Sequence, residues 1–266
     1  LPSTRRTIPP SPAIPRSGCA RSLIAALCLA FVPAVQAAAQ DGGDAIGRPT
    51  LPGIGKTDPR IRVDPAAAPW RAIGKLQATA GNLYESCTGT LIAPRIVLTA
   101  AHCLFNLRTR RYFPPSSLHF LVGYDGGRYA GHARGVSFEI GPGYDRTQST
   151  AGSDWATLTI DAPLGTPDRV LALTAAPPLT GTDVTIGGYS QDHPLTLTAD
   201  PDCRIVARGA DANGRILLRH DCTATRGASG APVLVRFDRE WRIGGIDVAA
   251  RRGEAAGLAA FPDALR

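Results

Sequence analysis

Methionine is absent from the 266 residues of this chain, and aromatic side chains make up only 6% of them. Without methionine, Leu1 is no standard start, and the expectation is a start further in, a truncation or an unusual initiation codon. Long apolar runs are missing too. The longest, Leu23-Ile-Ala-Ala-Leu-Cys-Leu-Ala-Phe-Val32, falls short of the roughly 20 residues a membrane-spanning helix needs, which argues against an integral membrane protein. No C-x-x-C pair or Cys/His cluster with zinc spacing occurs, so no metal is expected at the cysteines. Nor is there a basic run or a nucleic-acid motif. The formal charge is +7, but Arg5, Arg6, Arg16 and Arg21 sit in an amino-terminal leader without a single acid. The remainder is mildly basic with scattered arginines, and a nucleic-acid partner is not expected.

Residues 16 to 39 read as an export signal: Arg16 and Arg21 precede the apolar run, Pro33 follows it, and Val35-Gln-Ala37-Ala-Ala39 offers small residues for cleavage after Ala37 or Ala39. Leu27 is larger than the residue that normally precedes a lipid-modified cysteine, so Cys28 is not expected to anchor the chain. A secreted or periplasmic protein without stable membrane insertion follows. Cleavage removes Cys19 and Cys28 and leaves Cys87, Cys103, Cys203 and Cys222, an even set suited to disulfides in an oxidising compartment. Pairing Cys87 with Cys103 and Cys203 with Cys222 keeps each bridge within one half of the chain. A monomer is expected.

Residues 40–59 are rich in Gly, Pro and Asp and read as a flexible lead-in or propeptide. Beyond them, short β-like runs separated by turn signals cover Trp70 to Ala78, Ser86 to Ala93, Arg95 to Thr99, Leu118 to Val122, Ala133 to Ile140 and Asp154 to Ile160. A proline-rich connection, Asp161 to Pro178, precedes a second series: Val184 to Tyr189, Pro194 to Leu197, Cys203 to Arg208, Gly214 to His220, Pro232 to Phe237, Trp241 to Ala249 and Gly257 to Phe261. The pattern predicts an all-β fold, sandwich or barrel, in two halves of about six strands each. Helix is confined to a turn at Ala100-Ala101-His102 and a stub at Asp263 to Arg266.

The chemistry is carried by Thr99-Ala-Ala-His102-Cys103, Ser153-Asp154-Trp155-Ala156 and Gly227-Ala-Ser229-Gly230. A serine hydroxyl becomes a nucleophile when an imidazole takes its proton, and the imidazole needs a buried carboxylate to fix its tautomer. The order His…Asp…Ser separates this chain from the Ser…Asp…His hydrolases and the Asp…His…Ser subtilisins. No histidine follows His220, and Ala231 replaces the last glycine of G-x-S-x-G, so a nucleophile elbow is excluded twice. His119, His132, His193 and His220 lack a comparable context and read as surface or structural residues.

Cys87-Thr-Gly-Thr-Leu-Ile-Ala-Pro followed by Arg95-Ile-Val-Leu-Thr-Ala-Ala-His102-Cys103 resembles the strand-turn-strand that presents the catalytic base in chymotrypsin/trypsin-like serine proteases. The likeness is nearest the secreted bacterial branch that includes the glutamyl endopeptidases, and it runs from about Arg60 to the end. It implies two six-stranded antiparallel β-barrels, the first over about 60–165 and the second over about 175–266, with a site between them in which His102 is the base, Asp154 the orienting acid, Ser229 the nucleophile and the Gly227 and Ser229 N–H groups the oxyanion hole. Protein or peptide substrates are implied, and no cofactor. The alternatives are a non-catalytic homologue used for binding and an esterase on the same scaffold.

Two departures from the family pattern matter. Ala228 stands where animal trypsins carry the aspartate that pairs with a new amino terminus, and no Ile-Val-Gly-Gly sequence precedes the first barrel. Thr223 holds the position, six residues before the nucleophile, where basic specificity usually needs an acid. Gly245-Ile246-Asp247 replaces the glutamyl branch's Gly-Ile-His, and Asp247 suggests a pocket that favours a basic side chain at P1, the residue before the cleaved bond.

Overall fold

The architecture is that of a computed structural model, which describes residues 51–80, 83–148 and 150–265. The expected signal segment therefore lies outside the described residues. In the first half, strands β1 (Ile73–Ala80), β2 (Leu83–Ala93), β3 (Ile96–Thr99), β4 (Leu118–Val122), β5 (Gly131–Ile140) and β6 (Ala156–Ile160) close into a barrel in the order β1-β2-β3-β6-β5-β4. In the second half, β7 (Asp183–Gly188), β8 (Thr198–Ala210), β9 (Ile216–His220), β10 (Pro232–Phe237), β11 (Glu240–Ala250) and β12 (Gly257–Ala260) run β8-β7-β10-β11-β12-β9, and pairing of β8 with β9 completes the circle. All of these barrel pairings are antiparallel. This is the two-barrel chymotrypsin fold.

Hydrophobic alternation drives closure. In β1, Leu76 and Ala78 share one face with Leu91 of β2, Val97 of β3, Leu118 and Phe120 of β4 and Leu158 of β6, all of them buried. Each large side chain among them contributes on the order of 1.5–3 kcal/mol when fully buried. β3 shows no alternation, because Val97, Leu98 and Thr99 are all buried as the strand runs into the junction between the barrels. The second barrel encloses Val184, Ile186, Ile205, Leu218, Val233 and Ala259. In the connection from Asp161 to Pro178, Ala172–Leu173 pairs in parallel with Arg242–Ile243 of β11.

Several segments differ from the sequence reading. Trp70–Ala72 is a turn of 3-10 helix, and β1 begins at Ile73. Pro194 to Leu197 is no strand: the proline has no N–H for a ladder and its carbonyl is taken by Lys75 Nζ at 2.6 Å. β9 starts at Ile216, because the Asp211 carboxylate gathers the N–H groups of Asn213 and Arg215 into a hairpin turn over the preceding residues. Of the residues expected to form a lead-in, 51–55 are at least partly covered, with Gly53 buried and its N–H donated to Arg251 O, whereas Lys56 to Pro59 are exposed.

Candidate active site

His102 enters the site from the turn that follows β3. Ala100 and Ala101 are fully buried, which fixes the 3-10 helix Ala101–Leu104, and Cys103 is bonded to Cys87 of β2. Asp154 arrives from the other side, at the end of the 3-10 turn Ala151–Ser153 just before β6. That turn is fastened to both barrels: Ser153 Oγ donates to Pro142 O at 3.0 Å, and Gly152 N–H donates to the Asp211 carboxylate at 3.0 Å. Asp154 is 7% exposed. One carboxylate oxygen lies 2.7 Å from His102 Nδ1, and the other accepts the His102 backbone N–H at 2.9 Å. The acid thereby holds both the imidazole and the peptide that carries it, leaving Nε2 as the ring's free face. Burial pushes the Tyr144 and Tyr112 phenols up, and the Asp154 charge pushes them further, so they stay neutral beside it.

The loop that carries Ser229 is built around two glycines in the left-handed region, Gly227 at φ +93° and Gly230 at φ +83°. A Cβ on Gly227 would sit 2.4 Å from Tyr189 O, so no other residue fits there without movement. Ala228 N–H turns back to Thr225 O at 2.9 Å. The N–H groups of Gly227 and Ser229 have no acceptor among the described residues. A pair of free amides flanking a serine is what an oxyanion requires.

Thr88 of β2, which sequence reasoning passed over, ties the first barrel to this loop. Its N–H donates to Ser229 O at 2.9 Å, its hydroxyl donates to Gly227 O at 3.0 Å, and the same hydroxyl accepts Tyr189 N–H at 2.9 Å. Thr99 Oγ1 then donates to Thr88 O at 2.8 Å. The only signal was the Cys-Thr-Gly-Thr context, in which a buried threonine reads as ordinary strand. Cys203 and Cys222 are bonded and hold β8 against the start of the loop that leads to Ser229.

Two hollows meet at Ser229. A cleft of about 780 Å³ is lined by His102, Ser229, Gly227, Arg226, Glu85, Arg146 and Gln191 among others. Burial pushes the Glu85 carboxyl up, opposed by Arg146 and His102. A smaller pocket of about 240 Å³ is lined by Pro52, Thr225, Arg226, Ser229, Asp247, Val248, Ala249, Ala250 and Arg252. Thr223 is not among its lining residues: it is buried behind the pocket, with its N–H held by the Asp200 carboxylate at 2.7 Å. Asp247 does border the pocket, but it is 3% exposed and its carboxylate lies 3.2 Å from His220 Nε2. The carboxylate suggested as a partner for a basic side chain is thus engaged by a buried imidazole. The Arg226 and Arg252 side chains, by contrast, are exposed and have no acceptor among the described residues. Thr225 Oγ1, buried at 2% exposure, also lacks a partner among them. Neither arginine was a site candidate from sequence, since Arg226 is a lone cation in a turn and Arg252, next to Arg251, read only as a neighbour that could pair with Asp247.

Residues 87–246 match the trypsin-like peptidase domain family. A glutamyl endopeptidase of Bacillus licheniformis is 30% identical over 139 residues, 51% of this chain and 42% of that protein. Serine protease 23 of Homo sapiens is 28% identical over 196 residues, 60% of this chain and 45% of that protein. The matched part therefore spans less than half the length of these curated relatives. Among solved structures, a Glu endopeptidase in complex with MPD superposes with a TM-score of 0.64 at 24% identity, covering 80% of this chain and 94% of the other. A thermostable serine protease, AL20, from an extremophilic microorganism gives a TM-score of 0.58 at 16% identity, covering 72% and 91%.

Proposed function

Because the chain belongs to the trypsin-like peptidase family, we propose that it is an exported serine endopeptidase that cleaves through an acyl-enzyme, with His102, Asp154 and Ser229 as its triad. The observation that carries this reading is the two-point hold of Asp154 on His102, at 2.7 and 2.9 Å, in a cleft that His102 shares with Ser229. Ser229 Oγ attacks the peptide carbonyl while His102 Nε2 takes its proton. The oxyanion forms against the Gly227 and Ser229 N–H groups, and the imidazolium is stabilised by Asp154. The proton then passes to the leaving amine, the C–N bond breaks, and a water activated by the same imidazole hydrolyses the ester. This chemistry uses no cofactor. Two disulfides suit the oxidising compartment that a secreted or periplasmic protein occupies. Among the described residues no helix is long and apolar enough to cross a membrane.

For the residue before the cleaved bond we favour an acidic side chain over the basic one that Asp247 suggests from sequence. Three features support this: Asp247 is engaged by His220, Arg226 and Arg252 border the pocket beside Ser229, and one relative bears the name glutamyl endopeptidase. The test is labelling with a serine-directed fluorophosphonate, followed by a cleavage profile on a denatured protein mixture. Labelling lost in Ser229→Ala and cuts clustered after Glu or Asp are expected. An unlabelled parent protein would sink the catalytic reading, and cuts clustered after Lys or Arg would sink the acidic one.

A further inference from the structure

Lys75 of β1 alternates with the inward-facing Leu76 and so points out of the first barrel, yet it is only 3% exposed, because the loop between β7 and β8 covers it. Its Nζ donates to Pro194 O of that loop at 2.6 Å and stands 4.8 Å from the centre of the Tyr124 ring, within cation–π range. No carboxylate pairs with it among the described residues. A buried ammonium held by one carbonyl and one ring, without a counter-charge, is costly to keep, and burial pushes its pKa down. The triad makes no use of it.

Lys75 nonetheless sits where the first barrel meets the wall of the larger cleft. Directly across from it on β2 is Thr88, whose hydroxyl accepts the Tyr189 N–H and donates to Gly227 O. The Tyr189 hydroxyl donates to Tyr124 O at 2.8 Å, so the residue whose ring meets the ammonium is tied to the start of the loop. Tyr189, Ser190, Gln191 and Pro194 line the cleft, and Gln191 N–H donates to Arg226 O at 2.7 Å, one residue before Gly227. The charged groups around this contact are engaged elsewhere or exposed. Arg60 staples Asp58 and Asp192 at 2.7 and 2.5 Å, His193 is exposed, and Asp125, next to Tyr124, pairs with Arg62. Burial pushes the Tyr84 and Tyr189 phenols of the cleft up, so they lose their protons only after Lys75 does.

We propose that Lys75 is a positioning residue: its charged amino group clamps the loop 189–197 to the first barrel and so holds the cleft wall against which an extended peptide substrate rests. The proposal rests on the serine-endopeptidase reading. Because the hold is a charge-assisted hydrogen bond and a cation–π contact, it is strong while the ammonium keeps its proton and weakens as pH rises through the lowered pKa. His102 and the Gly227 turn are held by Asp154 and Thr88, so the clamp acts on substrate binding and leaves bond breaking alone. The enzyme thereby loses affinity for extended substrates on the alkaline side while its triad stays active.

The experiment measures kcat and KM on a blocked, extended peptide without lysine or tyrosine, from neutral pH up to the ordinary lysine value of about 10.4. It uses the full chain and its Lys75→Met and Lys75→Arg variants, with active sites titrated by a short-chain alkyl fluorophosphonate. Methionine fills the space without charge, an exchange that buried sites tolerate, and arginine stays charged throughout. In the parent, KM should rise about tenfold with pH while kcat and the labelling rate change less than about twofold. In Lys75→Met, KM should be about tenfold higher already at neutral pH and flat above it, and Lys75→Arg should restore a low KM without the alkaline rise. A flat parent KM overturns the proposal, as does a labelled Lys75→Met enzyme that keeps either the parent's neutral KM or its alkaline rise. The parent's profile decides should the variants not fold. A parent enzyme that fails to label overturns the catalytic reading instead.

Discussion

Replacing Asp154 by asparagine tests the site at its most sharply defined contact. In the native geometry one carboxylate oxygen accepts the His102 backbone N–H at 2.9 Å, and the other faces Nδ1 at 2.7 Å. An asparagine can keep the first bond with its amide oxygen, so the peptide carrying the imidazole stays in position. Its NH2 group then points at Nδ1, which must accept and not donate. The ring proton moves to Nε2, and the nitrogen that should receive the serine proton is already occupied. The imidazolium also loses its buried counter-charge. A change of this kind is worth about 10⁴-fold in kcat, or roughly 5.4 kcal/mol of transition-state stabilisation. The assay is kcat/KM on a chromogenic peptide in parent, Asp154→Asn and Ser229→Ala, with melting curves to show that the fold survives. Asp145→Asn serves as control, since that carboxylate caps the exposed turn at Thr147. Loss of less than about tenfold in Asp154→Asn would refute the assignment, because a merely structural acid tolerates an isosteric amide.

Three further outcomes are expected. Gly227→Ala, whose Cβ would meet Tyr189 O at 2.4 Å, moves an oxyanion donor and should lower kcat by about 10²–10³-fold, measured against active sites titrated with fluorophosphonate. Removing the Cys87–Cys103 bridge, which spans a sequence separation of 16, should cost about 3 kcal/mol and lower Tm by roughly 6–12 °C in a scanning melt; an unchanged Tm would show that the bridge constrains nothing. The Arg60 staple should make the fold acid-sensitive. Hydrogen bonding and charge from Arg60 hold Asp58 below its ordinary value, and at Asp192 burial pushes upward but Arg60 outweighs it. Carboxylates lowered in the native state stabilise it above their unfolded pKa, and that contribution is lost as pH falls from about 5 downward through the native values. Arg60→Gln should flatten this part of a stability-versus-pH curve, and an acid limb identical to the parent's would count against the staple.

The order of motifs, the strand spacing and the even set of cysteines were legible in the chain because each is written locally. A buried strand ending in Thr99-Ala-Ala-His102-Cys103 needs contiguous apolar residues and then a tight turn, and both are visible in sequence. The strand boundaries that were missed have one local and one distant cause: Asp211 draws the backbone of Asn213 and Arg215 into a turn ahead of β9, and Pro194 gives its carbonyl to Lys75, 119 residues away in the chain. Pocket chemistry was far less legible. Asp247 and His220 are 27 residues apart, and only the pairing of β9 and β11 with their common neighbour β12 brings the carboxylate to the imidazole. Thr88 looked like filler until its three hydrogen bonds to Ser229, Gly227 and Tyr189 were seen.

The sequence by itself determined the fold class, the family resemblance and the residue types from which a hydrolytic triad can be built, since nearest-neighbour pattern and short motifs specify those. Tertiary structure decided what those residues face. Barrel closure carries Asp154 to His102, barrel packing joins Thr88 to the loop that holds Ser229, and Pro52 comes to line the pocket beside Ser229. Such contacts depend on the path of the whole chain, and no local run of residues encodes them.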